Sequence, residues 1–255
     1  MTEKITVNTL KQFKSSGEKI ACLTSYDASY AKLQDAAGVD VLLVGDSLGM
    51  VLHGMDTTLN VSMTDMIYHT RLVSSASKRA LVISDMPANS YHTSEIALEN
   101  AMRLINEGGA DVVKLEGGRA FCETVSLLSK QGVSVCGHLG LTPQSISTYQ
   151  VQARTEEEAN RLKQDALALQ EAGVVCLVLE CIPARLAAEV TQLLDIPVIG
   201  IGAGPDCDAQ VLVVYDMLGL TDKKLKFCKN FLIGKDSIAD AIKAYVAEVK
   251  NKTFP

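Results

Sequence analysis

Short apolar runs alternate along this chain with longer segments whose apolar residues recur every three or four positions. The first pattern belongs to buried strands, the second to helices packed against them. Eight runs read as strands: Ile20–Thr24, Val41–Val44, Leu81–Ser84, Val112–Leu115, Val133–Cys136, Val174–Leu179, Pro197–Ile201 and Val211–Val214. A run as uniformly apolar as Leu177-Val178-Leu179 needs burial on both faces, which a parallel sheet wrapped by helices supplies. The clearest helix is predicted from Glu156 to Glu171, with Ala159, Leu162, Ala166 and Leu169 on one face. Thr155, three residues before Glu158, gives it a capping box.

A faint repeat organises these elements. AAGVDVLLVGD, EGGADVVKLE and EAGVVCLVLE each end a helix on Ala/Gly and enter a strand that finishes on an acid. The distance is eight residues from Gly38 to Asp46, eight from Gly108 to Glu116 and seven from Gly173 to Glu180. Glycine there can take the positive φ that ends a helix. Repeated βα units and 255 residues fit an α/β fold, one (β/α)8 TIM barrel over residues 1–255, with no Pro/Gly/Ser-rich linker. An N-terminal helix, about Thr9 to Lys14, is placed to close the barrel bottom. Gly49 to Val61 and Gly140 to Arg154, the latter containing Thr142-Pro143-Gln144, are long enough for lid or binding loops.

The apolar runs also finish in a consistent way. Five of them lead into an ionisable residue: Asp46, Asp85, Glu116, His138 and Glu180. A buried carboxylate is costly unless a metal, a cation or water meets it. Strand C-termini of a parallel barrel converge on one rim, where such barrels carry their active sites. Asp46, Asp85 and Glu116 come from successive strands and would repel one another without a cation among them. All-oxygen donors select a hard ion such as Mg²⁺. The competing reading makes each acid a helix N-cap or a salt-bridge partner.

Lys114 lies two residues before Glu116, on the same strand face, so both point into the barrel mouth or both at the helices, and a charged pair fits the mouth better. Three carboxylates, Mg²⁺ and one ammonium sum to zero charge, which leaves room for an anionic substrate. An interior Lys114–Glu116 ion pair is the alternative. Glu180 stands further round the rim as a candidate general base, or else as a capping acid ahead of Pro183. His138 is a candidate hydrogen-bond donor to a substrate oxygen, or a structural histidine. Gly200, Gly202 and Gly204 either cradle a phosphate or permit close backbone approach beneath a ligand.

Composition removes other classes. A net charge of −6 does not favour a nucleic-acid backbone, and Lys223-Lys224-Leu225-Lys226 reads as solvated surface. The polar start MTEKITVNTLKQFKSSGEK lacks a signal-peptide core, and no run reaches the ~18 apolar residues of a membrane span. Seven cysteines, odd in number and without a Cys-x-x-Cys pair, point to a reducing cytoplasm. Zinc through Cys176 and Cys181 lacks a second ligand pair, and Cys136 beside His138 lacks an orienting acid for nucleophilic work.

Seven motifs in order carry a resemblance: LTSYD (Leu23–Asp27), VGDSLGM (Val44–Met50), YHT (Tyr68–Thr70), VKLEGG (Val113–Gly118), VCGHLGLTPQS (Val135–Ser145), LVLEC (Leu177–Cys181) and IPVIGIGAG (Ile196–Gly204). The chain resembles the ketopantoate (3-methyl-2-oxobutanoate) hydroxymethyltransferase family. The resemblance implies a homodecameric barrel enzyme that opens pantothenate biosynthesis. It implies a Mg²⁺ site at Asp46, Asp85 and Glu116, a 2-oxo acid held by Asp46, Ser47, Asp85 and Lys114, and Glu180 as proton acceptor. The reaction it implies passes through a Mg²⁺-stabilised enolate, with 5,10-methylenetetrahydrofolate as one-carbon donor. Departures from the family pattern cluster away from these residues. The segment ISTYQVQAR after Ser145 is short, Gln150 stands where Lys is usual, Ala88 replaces Phe and Ala209 replaces Gly. A lyase or mutase of the related Mg²⁺-dependent barrels, and a binding barrel without turnover, are the competing functions.

Overall fold

The computed structural model describes residues 3–146, 150–221 and 225–255. Eight strands form a closed barrel: β1 (Ile20–Thr24), β2 (Val41–Val44), β3 (Leu81–Asp85), β4 (Val112–Lys114), β5 (Val135–Gly140), β6 (Val174–Glu180), β7 (Val198–Ile201) and β8 (Ala209–Leu212). Every neighbouring pair is parallel, including the closing pair β1–β8. The expected (β/α)8 class is therefore the one observed.

Two predicted strands are displaced, each for a local reason. Val133 is apolar, but its N–H bonds back to Leu128 O and closes the helix Cys122–Lys130, so β5 starts later and runs on through His138. Val214 belongs to the short helix Val214–Met217, and its N–H donates to Thr24 Oγ1 at 2.9 Å. Pro197, with no N–H to offer a ladder, lies just before β7.

Strand periodicity sorts side chains between two shells. Leu23, Leu42, Val82, Val113 and Leu177 face outward and pack under the helices. Ile20, Val41, Ile83, Cys136, Cys176 and Val178 fill the barrel interior. Each such fully buried aliphatic side chain contributes roughly 1.5–3 kcal/mol relative to exposure. Below them, Ile5 and Leu10 plug the bottom. Leu10 comes from the N-terminal helix Val7–Ser16, which is longer than predicted and is tied down by Lys14 to Asp208 at 2.7 Å.

The helix Glu156–Ala172 carries the expected capping box at Thr155 and ends on Gly173 at φ 111°. In the repeat EGGADVVKLE the residue with positive φ is Gly109, not Gly108. Ser147, Thr148 and Tyr149 of the short segment after Ser145, and Lys223 and Lys224 of the basic stretch, lie outside the described residues. Among the described residues, no helix is long and apolar enough to cross a membrane.

Candidate active site

Strand register builds the site. Asp85 pairs with Lys114, Lys114 with Cys136, His138 with Val178, and Gly140 with Glu180. Above the interior apolar layers, Asp85, Lys114, Glu116, His138 and Glu180 therefore share the C-terminal mouth. Asp46 joins them from the turn after β2, where its N–H donates to Asp85 Oδ2 at 3.1 Å.

None of the four rim acids caps a helix. Of the helices that follow them, two are capped by the side chains of Ser62 and Thr93, and those that start after Ser47, Gly118 and Pro183 have no side-chain cap. Ion pairing is real: the interior Lys114–Glu116 pair is present, and a second acid, Asp85, stands closer. Lys114 Nζ lies 2.9 Å from Asp85 Oδ1 and 4.0 Å from Glu116 Oε1. Its nearest acid is thus the cross-strand neighbour rather than the residue two places on. Burial lowers the Lys114 pKa, yet Asp85, Glu116 and Asp46 outweigh it, so the ammonium is held above its ordinary range.

His138 is an internal link. Its Nδ1 lies 3.1 Å from Glu116 Oε1, and its Nε2 faces Glu180 Oε2 at 3.3 Å without hydrogen-bond geometry. Burial and Lys114 depress its pKa, but Glu116 and Glu180 outweigh them and raise it to about 9. Glu116 shows the complementary balance: burial pushes it up, while His138, Lys114 and the Gln144 N–H bring the net below the ordinary range. The Glu180 side chain is 16 % exposed against 3 % for His138, so this acid is the one reachable from the mouth.

Asp46 is held toward its protonated form. Burial, then Asp85 and Glu116, raise its pKa to about 8 against the opposing effects of Lys114 and Gln144. Two adjoining buried carboxylates short of positive charge, with oxygen donors only, suit a hard divalent cation. Among the described residues, however, no three His, Cys, Asp or Glu side chains are arranged as a closed cage. Asp46 and Asp85 adjoin, whereas Glu116 is turned toward His138 and the Gln144 N–H at 3.0 Å.

Ser47 sits beside this group, half-buried, with Oγ 2.9 Å from the Tyr26 hydroxyl. The glycines of Gly200-Ile-Gly202-Ala-Gly204 make room for protein rather than for a ligand. A Cβ would meet Cys207 Sγ at 2.8 Å, Phe227 at 2.8 Å and Ala184 Cβ at 2.4 Å in turn. Two surface hollows of about 1010 and 210 Å³ lie beside the mouth, between Gly118 and the helix Glu156–Ala172. Neither is lined by Asp46, Asp85, Lys114, Glu116, His138 or Glu180.

Sequence reasoning missed Gln144 and Tyr91. Gln144 Nε2 donates to Asp46 Oδ2 at 2.8 Å, and the Glu116 N–H donates to the Tyr91 hydroxyl at 3.4 Å. The signal available was a polar residue in a Pro-containing turn directly after a strand that ends in the site.

Comparison with known proteins finds relatives along the whole chain. A 3-methyl-2-oxobutanoate hydroxymethyltransferase from Nitrosococcus oceani is 54 % identical, covering 99 % of this chain and 97 % of that protein. Another from Methylobacillus flagellatus is 56 % identical, over 97 % and 96 %. A phosphoenolpyruvate phosphomutase from Streptomyces platensis subsp. rosaceus shares the fold with a TM-score of 0.64 at 14 % identity, over 85 % of this chain and 82 % of that one. The family model described as ketopantoate hydroxymethyltransferase matches residues 4–255, and the chain belongs to that family.

Proposed function

We propose that the chain transfers a hydroxymethyl group from 5,10-methylenetetrahydrofolate to 3-methyl-2-oxobutanoate, giving 2-dehydropantoate and tetrahydrofolate. The observation that carries this reading is the rim constellation in a chain of this family. Lys114 pairs with Asp85 on one side, and His138 stands between Glu116 and Glu180 on the other. Asp46, Asp85 and Glu116 are the residues that would hold Mg²⁺, which when bound polarises the substrate ketone as a Lewis acid worth several kcal/mol.

The remaining work belongs to the chain. Lys114, kept cationic by its neighbours, compensates the substrate carboxylate. Asp46, Asp85 and Ser47, the last oriented by Tyr26, hold the 2-oxo acid. Glu180 takes the proton from C3, a contribution of ~10²–10⁴-fold. The electron pair of the broken C3–H bond forms the new bond to the methylene carbon, and water supplies the hydroxyl oxygen. The two C–N bonds that held this carbon to the folate break, its nitrogens taking up one proton from C3 and one from water as tetrahydrofolate leaves. His138 donates from Nδ1 to Glu116 in this arrangement, so its part is to place the two acids and to present Nε2 toward Glu180 and the substrate side. Assembly as a homodecamer in the cytoplasm follows from the family resemblance, and sedimentation velocity tests the oligomer.

The deciding experiment follows solvent deuterium exchange at C3 of 3-methyl-2-oxobutanoate with Mg²⁺ or with chelator, and product formation with and without the folate. Exchange that needs Mg²⁺, and 2-dehydropantoate that needs folate, are the expected results. Turnover of the 2-oxo acid without folate would instead assign a lyase or mutase. Tight binding without exchange would leave a barrel that has lost catalysis.

A further inference from the structure

The loop after β5 contributes a side chain that the strands do not. Thr142-Pro143-Gln144-Ser145 is a tight turn in which Thr142 O accepts the N–H groups of Ser145 and Ile146, both at 2.9 Å. The Thr142 and Ser145 hydroxyls close it at 2.7 Å, and Pro143 presets its second position. Gln144, at the third position, donates its N–H to Glu116 Oε2 at 3.0 Å. Its side chain turns back into the barrel mouth. Nε2 donates to Asp46 Oδ2 at 2.8 Å and to Met86 O at 3.0 Å, while Oε1 accepts from the Tyr91 hydroxyl. Two acceptors face the amide nitrogen and one hydroxyl faces the oxygen, so the partners themselves fix the orientation of the carboxamide.

Asp46 and Glu116 follow β2 and β4, which β3 separates, so no strand ladder joins them directly. Gln144 spans that gap with one residue. Both of its amide hydrogens and its carbonyl oxygen are engaged, which leaves the side chain little capacity to bind substrate. We propose that Gln144 is a positioning residue: it fixes Asp46 relative to Glu116, Tyr91 holds it in that pose, and it thereby sets the divalent-cation affinity of the site. This rests on the function proposed above. A residue that orients a ligating carboxylate typically changes metal affinity or activity by 10–100-fold when removed.

The test is Mg²⁺ titration calorimetry on the substrate-free full chain, with C3 exchange and thermal unfolding measured in parallel. Gln144→Ala is expected to weaken Mg²⁺ binding by about 10–100-fold. Its exchange should fall at low Mg²⁺ and recover in large part at saturating Mg²⁺. Tyr91→Phe should weaken binding several-fold, and the two substitutions should be less than additive, because the hydroxyl acts mainly through the Gln144 amide and only through a longer bond on the Glu116 N–H. A folded Gln144→Ala with Mg²⁺ affinity within twofold of the parent overturns the proposal, even if its unfolding temperature drops. Should Gln144→Ala fail to fold, unchanged affinity in folded Tyr91→Phe overturns it equally. A parent that binds Mg²⁺ but exchanges no C3 proton refutes the proposed function while the calorimetric arm still decides on Gln144. A parent that binds no Mg²⁺ refutes both.

Discussion

Lys114 Nζ and Asp85 Oδ1 lie 2.9 Å apart across the β3–β4 pair, with side chains no more than 5 % exposed. Register makes them direct neighbours, and the barrel interior below them is apolar. Removing the cation would leave Asp46, Asp85 and Glu116 buried around an uncompensated charge. Breaking a buried pair by deleting one partner costs on the order of 3–5 kcal/mol. Lys114→Met is therefore expected to lower the denaturant midpoint of the metal-free protein by a corresponding amount, and Mg²⁺ should restore part of it. Substrate binding should not return with the metal. An unchanged midpoint would show that Lys114 is not needed to hold the acids together.

Glu180 stands apart from the other acids in being reachable from the mouth, and its near contact is His138. Glu180→Gln keeps size and hydrogen bonding but cannot accept the C3 proton. Exchange is expected to fall by ~10²–10⁴-fold. Mg²⁺ affinity should stay within twofold, because this side chain is not among the proposed ligands. Exchange at the parent rate would remove Glu180 as the base.

The metal-free protein should lose stability as pH rises. His138 has its pKa raised from 6.5 to about 9 in the fold, so its contribution is complete below 6.5 and is lost through about 9. Asp46 is raised from 3.8 to about 8, so the folded chain retains a proton that the unfolded chain has released over that interval. In both cases the native state binds more protons, which makes unfolding free energy fall with rising pH. Urea midpoints measured in chelator should decline from about pH 6.5 to 9. His138→Gln should flatten the upper part of that decline, and a parent midpoint that climbs across the interval would contradict the sign.

Much of this was legible from residue order because strands impose a period of two. Once Val112 faces inward, Lys114 and Glu116 must follow it, and the apolar runs mark where the rim begins. Glu116 was legible as a partner of Lys114, but the nearer one was not, since Asp85 lies 29 residues away and is brought near only by register. Gln144 was hidden for the same reason at greater range: its bond to Asp46 spans 98 residues, and an uncharged loop residue has no periodicity. Val133 and Val214 misled because an apolar residue that closes a helix or opens a short one resembles the edge of a strand.

Gly140 ends β5 at φ 94°, in register with Glu180, and a Cβ there would stand 2.2 Å from Glu180 O and 2.8 Å from Ile182 Cγ2. That carbonyl also accepts the Leu141 N–H at 2.9 Å, so it cannot simply swing away. Gly140→Ala thus adds a steric conflict with the backbone of the proposed base to the strain of a left-handed residue. Such strain alone costs of order 1–3 kcal/mol. Gly132 offers a control: its φ is 80°, but nothing lies within 4 Å of an added Cβ. Gly132→Ala should lower the melting temperature by a few degrees through strain alone, at roughly 2–4 °C per kcal/mol for a chain of this size, and leave C3 exchange intact. Gly140→Ala should lower it further and depress the exchange rate at saturating Mg²⁺, because Glu180 moves with its carbonyl. Equal melting temperatures and equal exchange rates in the two variants would show that the contact between Gly140 and Glu180 O does not position the base.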